Sequence, residues 1–144
     1  IIDFHITHLD IMEVRDKETS GYFGMENAKE RQNEVAEASV DPFTIVHGDR
    51  IIGCGGFIII WPGVADGWIL PSKYVEEIPV SFCRIMRGKI VAAMEKYKLH
   101  RFQTTSFNDD FHERWMGWLG FKKEGVLRKF THNQKDSCIY ARVI

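Results

Sequence analysis

Residues able to ligate a metal or attack a substrate are few in this chain and poorly grouped. His5 and His8 make a His-x-x-His pair, but it straddles the junction of a predicted strand and a predicted helix. Zinc needs three or four donors converging on one point, so no metal is expected. Cys54, Cys83 and Cys138 are an odd number of cysteines without metal-type pair spacing, which points to free thiols in a reducing compartment. Cys83 falls near the start of a predicted helix, where the positive helix end favours a thiolate. A free cysteine buried as a small hydrophobe is the commoner case. Trp61, Trp68, Trp115 and Trp118 interleave with Lys and Arg as base-stacking platforms do, yet a net charge of −1 argues for core roles and against nucleic acid.

The 144 residues are 44% hydrophobic and 27% charged, ordinary values for a soluble globular protein. That length suits one domain, residues 1–144, with a full core. The longest apolar run, Phe57 to Trp61, is too short to span a bilayer, and nothing reads as a signal peptide. A cytoplasmic protein is expected, and Ile1 in place of Met leads us to expect native residues ahead of it.

The elements that must position any site follow in order. Ile2 to Ile6 reads as a strand, and Thr7 is placed to cap a helix running to about Lys17, which Thr19-Ser-Gly21 breaks. Asn27 to Ala38 reads as a surface helix with few apolar anchors, ended by Asp41-Pro42. Phe43 to His47 and Ile51 to Ile60 form a hairpin about Gly48-Asp49-Arg50. Gly53, Gly55 and Gly56 in its second strand suggest a bulge or a close backbone approach. Val64 to Leu70 is the next strand, followed by a loop over Pro71 to Glu77. Pro79 opens a core helix to Tyr97, with Phe82, Ile85, Met86, Ile90, Ala93, Met94 and Tyr97 at helical spacing.

The last third forms one unit. Arg101 to Phe107 is a strand. Asn108 is the expected cap of a helix whose apolar stripe is Phe111, Trp115, Trp118 and Leu119. Gly120 is the left-handed stop, Phe121 folds back on the stripe, and a hairpin of Lys122 to Phe130 and Ser137 to Ile144 follows.

The run Leu99-His-Arg, Asn108, a helix, then Leu119-Gly-Phe-Lys-Lys-Glu-Gly-Val-Leu-Arg-Lys-Phe130 resembles the C-terminal half of the GCN5-related N-acetyltransferases, the GNAT superfamily. The Gly-Phe-Lys-Lys-Glu-Gly segment is similar to the branch that acetylates protein and peptide N-termini. The predicted element order is also the order of that fold. The resemblance implies an α/β (α+β) domain with a mixed sheet of about seven strands and about four helices.

It further implies a site. In such enzymes the fourth and fifth strands splay, and the pantetheine arm of acetyl-CoA pairs with the fourth, here through Trp68, Ile69 and Leu70. A glycine-rich loop should then carry the pyrophosphate into the third helix. Tyr74 to Phe82 holds no glycine and includes Glu76 and Glu77, so the role passes to the helix start: the N–H groups of Val80, Ser81 and Phe82, with Arg84 one turn in. Asn108, at the end of the fifth strand, joins the same cofactor-binding set. Arg87-Gly88-Lys89 looks like a fragment of the loop but falls mid-helix. For the chemistry, the family's base lies near the fourth strand, where Asp66 is the ionisable residue. Its thiolate acid is a helix tyrosine whose place is taken by Met116, leaving His112 on that helix.

Two functions follow. One is direct acetyl transfer from acetyl-CoA to an amine, either a small molecule or a peptide or protein N-terminus, with no membrane or nucleic-acid partner and with oligomers possible. The other is a non-catalytic GNAT-fold binding or assembly protein. Loss of the glycine loop and the tyrosine favours the second, and the stretch from Val64 into the long helix loosely resembles diverged GNAT-like proteins of tailed phages.

Overall fold

The computed structural model describes residues 1–13 and 28–144. Among them lie seven strands and four helices. These are β1 (Ile2–Asp3), α1 (Thr7–Ile11), α2 (Ala28–Ala38), β2 (Val40–His47), β3 (Arg50–Trp61), β4 (Val64–Pro71), α3 (Pro79–Lys96), β5 (Arg101–Phe107), α4 (Asp110–Trp118), β6 (Lys122–Leu127) and β7 (Ser137–Val143). A short 3-10 turn, Lys73–Glu77, stands where a plain loop was expected. The sheet order is β1-β2-β3-β4-β5-β7-β6. The β4–β5 pair is parallel, and β1–β2, β2–β3, β5–β7 and β6–β7 are antiparallel. The expected mixed α/β sheet is therefore present. The first helix stops at Ile11, where Met12 turns to extended backbone, and so falls short of the expected Lys17; the expected break at Thr19 to Gly21 lies outside the described residues.

The described residues group into two compact units, and β3 and β4 each run from one into the other. The first unit holds residues 1–58 and 68–78. Its hairpin turns on Gly48 at φ +63°, the left-handed first position that two-residue turns give to glycine. Leu9, Met12 and Cys54 form a buried cluster against Phe4, Ile6, Ile51, Trp68 and Leu70. The close approach expected at the β3 glycines is real. A side chain at Gly55 would stand 2.9 Å from Ile69 Cδ1 and from Phe43 Cζ, and one at Gly56 would meet the Trp68 indole at 3.1 Å. α2 buries Gln32 and leaves most of its length open, as its polar composition requires.

Three local expectations in this unit need correction. β1 is only two residues long. The residue ahead of α1 is Ile6, in helical conformation, and Thr7 is inside the helix and gives no side-chain cap. Pro42 lies within β2, where the β2–β3 register shifts between Val40 and Phe43 and Asp41 takes φ +44°. A bulge is where a strand tolerates proline.

The second unit holds residues 59–67 and 79–144. Its core is Val64, Ala65, Phe82, Met86, Ile90, Met94, Leu99, Phe102, Met116, Leu119, Phe121 and Tyr140. α3 ends in a left-handed Lys98 at φ +53°. There Leu99 N–H reaches Met94 O at 2.9 Å and Lys98 N–H reaches Glu95 O at 3.3 Å, the paired bonds of a Schellman stop. α4 ends in the same way about Gly120, with Phe121 N–H on Met116 O and Gly120 N–H on Gly117 O, both at 3.0 Å. This is the glycine stop expected from the sequence.

The phase of α4 departs from expectation. Its buried residues are His112 and Met116, with Leu119 just beyond its end. Trp115 is half-buried, while Phe111 and Trp118 are 54% and 63% exposed. The stripe sits about one residue away from the one that hydrophobicity picked out. The cap also moves by one position, to Asp109, whose carboxylate accepts the His112 N–H at 2.8 Å.

Candidate active site

The parallel ladder between β4 and β5 pairs Val64 with Arg101, Ala65 with Phe102 and Asp66 with Gln103. Beyond that point the Thr104 hydroxyl donates to Gly67 O at 2.9 Å. Gly67 itself has no room for a side chain, because a Cβ would run into the Phe102 ring. β4 and β5 each continue for several residues past these pairs.

Asp66, the ionisable residue of β4, is half-buried at the last pair of that ladder. Burial pushes its carboxyl above the usual aspartate range, and a hydrogen bond from Gln103 works against that rise. Arg101 Nε–H donates to Gln103 Oε1 at 2.9 Å, and its terminal nitrogens hold the Glu124 carboxylate at 2.5 and 3.1 Å. Gln103, Arg101 and Glu124 escaped the sequence reading. The signal was present for two of them, since Arg101 and Gln103 are polar at alternate positions of one strand and must share a face.

His112 is an interior residue. It is 2% exposed, and its Nδ1 lies 2.8 and 2.9 Å from the two Asp109 oxygens. An ionised carboxylate only accepts, so Nδ1 carries the proton. The ring meets Phe107 and Phe111 edge-on at 5.0 and 5.3 Å. Asn108 is exposed and accepts from Cys138 Sγ at 3.1 Å. Tyr140, in the core, has its hydroxyl pushed up to about 12, first by burial and then by nearby Cys138, Glu113 and Asp109.

At the start of α3, Val80, Ser81 and Arg84 are exposed, and Phe82 is buried and stacked on Trp115 with centroids 5.8 Å apart. Trp115 Nε1–H points at Cys83 Sγ, 2.6 Å away, and burial raises that thiol. Cys83 is therefore a packed thiol between α3 and α4. Arg87 reaches along the helix pair to Trp118 O at 3.4 Å.

Trp68, Ile69 and Leu70 belong to the first unit. Trp68 Nε1–H donates to Ser39 Oγ at 2.7 Å, and Trp68 and Leu70 pack on the Leu9 cluster. In the same unit Glu77, one of two carboxylates preceding α3, is paired with Arg50 at 2.6 Å. His8 binds the Thr44 hydroxyl through Nδ1 at 2.8 Å, and among the described residues no group of three metal-ligating side chains forms. No described helix is long and apolar enough to cross a membrane.

This arrangement of strands and helices is the fold of the GNAT acetyltransferases. It matches a GNAT-family acetyltransferase from Bacillus anthracis with a TM-score of 0.70 at 15% identity, over 99% of this chain and 93% of that one. An acetyltransferase from Bacillus subtilis, solved in complex with CoA, matches with a TM-score of 0.67 at 14% identity, over 92% and 94%. The ribosomal-protein-S5-alanine acetyltransferase of Vibrio fischeri matches with a TM-score of 0.65 at 18% identity, over 94% and 80%. No protein-family model matches the sequence, and neither does any curated protein. These structural matches are bacterial acetyltransferases and lend the phage resemblance no support.

Proposed function

We propose that this protein is a cytoplasmic N-acetyltransferase that passes an acetyl group from acetyl-CoA directly to an amine. The observation that carries the reading is the β4–β5 ladder, which runs for three residue pairs and is followed by a side-chain bond from Thr104 to Gly67 O. A parallel pair that stops pairing while its strands continue leaves backbone groups for an added, strand-like ligand. On this reading the pantetheine arm lies along the β4 segment of Trp68, Ile69 and Leu70. In the second unit, the exposed start of α3 offers phosphates the N–H groups of Val80, Ser81 and Phe82 and the Arg84 guanidinium, and Asn108 is a further candidate contact.

Asp66 takes the proton that the amine must lose as its nitrogen bonds to the acetyl carbon. Its raised carboxyl moves it toward the pH at which a base is useful. As the carbon–sulfur bond breaks, the departing thiolate takes a proton from solvent. Met116 offers none, and His112 is interior with Nδ1 engaged by Asp109. The acceptor is a small-molecule amine or a peptide or protein N-terminus. The Vibrio fischeri match acts on ribosomal protein S5 alanine, and a further match from Vibrio cholerae is a spermidine N-acetyltransferase.

The non-catalytic reading draws on the glycine-free segment from Tyr74 to Phe82 and on Met116. Calorimetry with acetyl-CoA decides between them. Binding at micromolar to millimolar concentration supports the transferase, and its absence at millimolar concentration favours a scaffold that has lost its co-substrate.

A further inference from the structure

Four side chains form a polar row across the second unit. Pairing on adjacent strands sets Asp66 beside Gln103, and the period of two sets Arg101 on the same face of β5. From β6, Glu124 closes the row by accepting both terminal nitrogens of Arg101.

The row has a fixed polarity. A guanidinium has donors only, so the Arg101 Nε–H bond turns the oxygen of Gln103 toward Arg101. The amide nitrogen is then the end left to face Asp66, its partner across the ladder, and it can only donate to the carboxylate. An unrestrained glutamine has no such preference, because its two ends are nearly isosteric. Glu124, in turn, holds the guanidinium in the plane that Gln103 needs.

We propose that Gln103, Arg101 and Glu124 are positioning residues that hold the Asp66 carboxylate in one orientation as a proton acceptor. The inference rests on the reading of Asp66 as the base. An amide N–H donor favours the ionised carboxylate and occupies one of its lone pairs, leaving the others for the amine or an intervening water. Among the described residues the charged groups on this face include Arg101, Glu124 and also Lys122, which pairs with Ala141, the partner of Gln103. Arg101 and Glu124 are ion-paired with each other. Gln103, held by Arg101 and paired with Asp66 across the ladder, links them to it.

The test is a carboxyl-carbon NMR titration of Asp66 in the full chain, run beside the pH profile of kcat/KM for thiol release from acetyl-CoA with spermidine or an alanine-initiated peptide. Gln103→Leu and Arg101→Met should each raise the Asp66 midpoint by about 0.5–1 pH unit. Arg101→Lys still donates and should stay close to the parent. An unmoved midpoint in Gln103→Leu overturns the proposal. Should that variant fail to fold, the same result in Arg101→Met overturns it. Midpoints that move while the kcat/KM profile stays in place uphold the row and instead remove Asp66 as the base.

Discussion

Thr104 donates its hydroxyl hydrogen to the carbonyl oxygen of Gly67 at 2.9 Å, just past the last residue pair of the β4–β5 ladder. A side chain thus holds a carbonyl that the neighbouring backbone would otherwise receive. Gly67 is at the same time the residue over which the Phe102 ring lies. Gly67→Ala should therefore cost about 1–3 kcal/mol through overpacking. Denaturant melts of the single and double variants check this. If the ring is the obstacle, Phe102→Leu should recover part of the loss, a coupling that a double-mutant cycle reads directly.

The inward face of α4 gives a second prediction. Met116→Ala should destabilise by about 2–5 kcal/mol, as removal of a buried Met side chain does. Trp118→Ala, on the exposed side, should stay within about 0.5 kcal/mol. Equal losses at both positions would contradict the phase of the helix.

Asp109 caps α4 and also holds His112 Nδ1. Asp109→Ala should cost about 1–2 kcal/mol or more, because a cap and a buried side-chain partner go together. Asn108→Ala should cost less, since the exposed amide accepts only from a thiol.

The pH dependence follows from Asp66. Its carboxyl is raised chiefly by burial, so the base form accumulates only above the ordinary aspartate range, and kcat/KM should climb with pH through a midpoint above that range. For stability the sign is opposite. The folded carboxyl holds its proton more tightly than the unfolded one. Its contribution is thus full below the unfolded value and is lost as pH rises through the folded one. Asp66→Asn should remove the acid limb and slow turnover far more than His112→Gln, and undiminished turnover in Asp66→Asn would leave the base role empty.

Binding of acetyl-CoA should separate two arginines of α3. Arg84 is exposed near the helix start, whereas Arg87 reaches Trp118 O. Charge reversal at Arg84 should weaken binding about threefold to tenfold by calorimetry, and reversal at Arg87 should do less. Equal effects would move the phosphates away from the start of α3.

Much of the fold was legible because its signals are local. Strand alternation, the Gly120-Phe121 stop and the apolar spacing of α3 each act over a few residues. The face of α4 was not, because hydrophobicity ranks Phe111 and Trp118 above His112, and the partner that lets the imidazole go inside is the cap itself. Pro42 misled for a similar reason: a bulge between Val40 and Phe43 accommodates it, and a bulge is a property of two strands. Asp66 was legible as an ionisable residue within a strand. Its surroundings were not, since Arg101, Gln103 and Glu124 come together through a pairing that joins distant parts of the chain.

The fully buried thiols have a use of their own. Cys54 lies in the first unit and Cys138 in the second, both closed to solvent, while Cys83 is partly accessible. A thiol-modifying reagent can reach the first two only when the surrounding structure opens, so their labelling rates time that opening separately. The alkylation kinetics of the unmodified chain thus carry two clocks, one per unit. Whether they run at one rate or two reports whether the units melt as a single cooperative block.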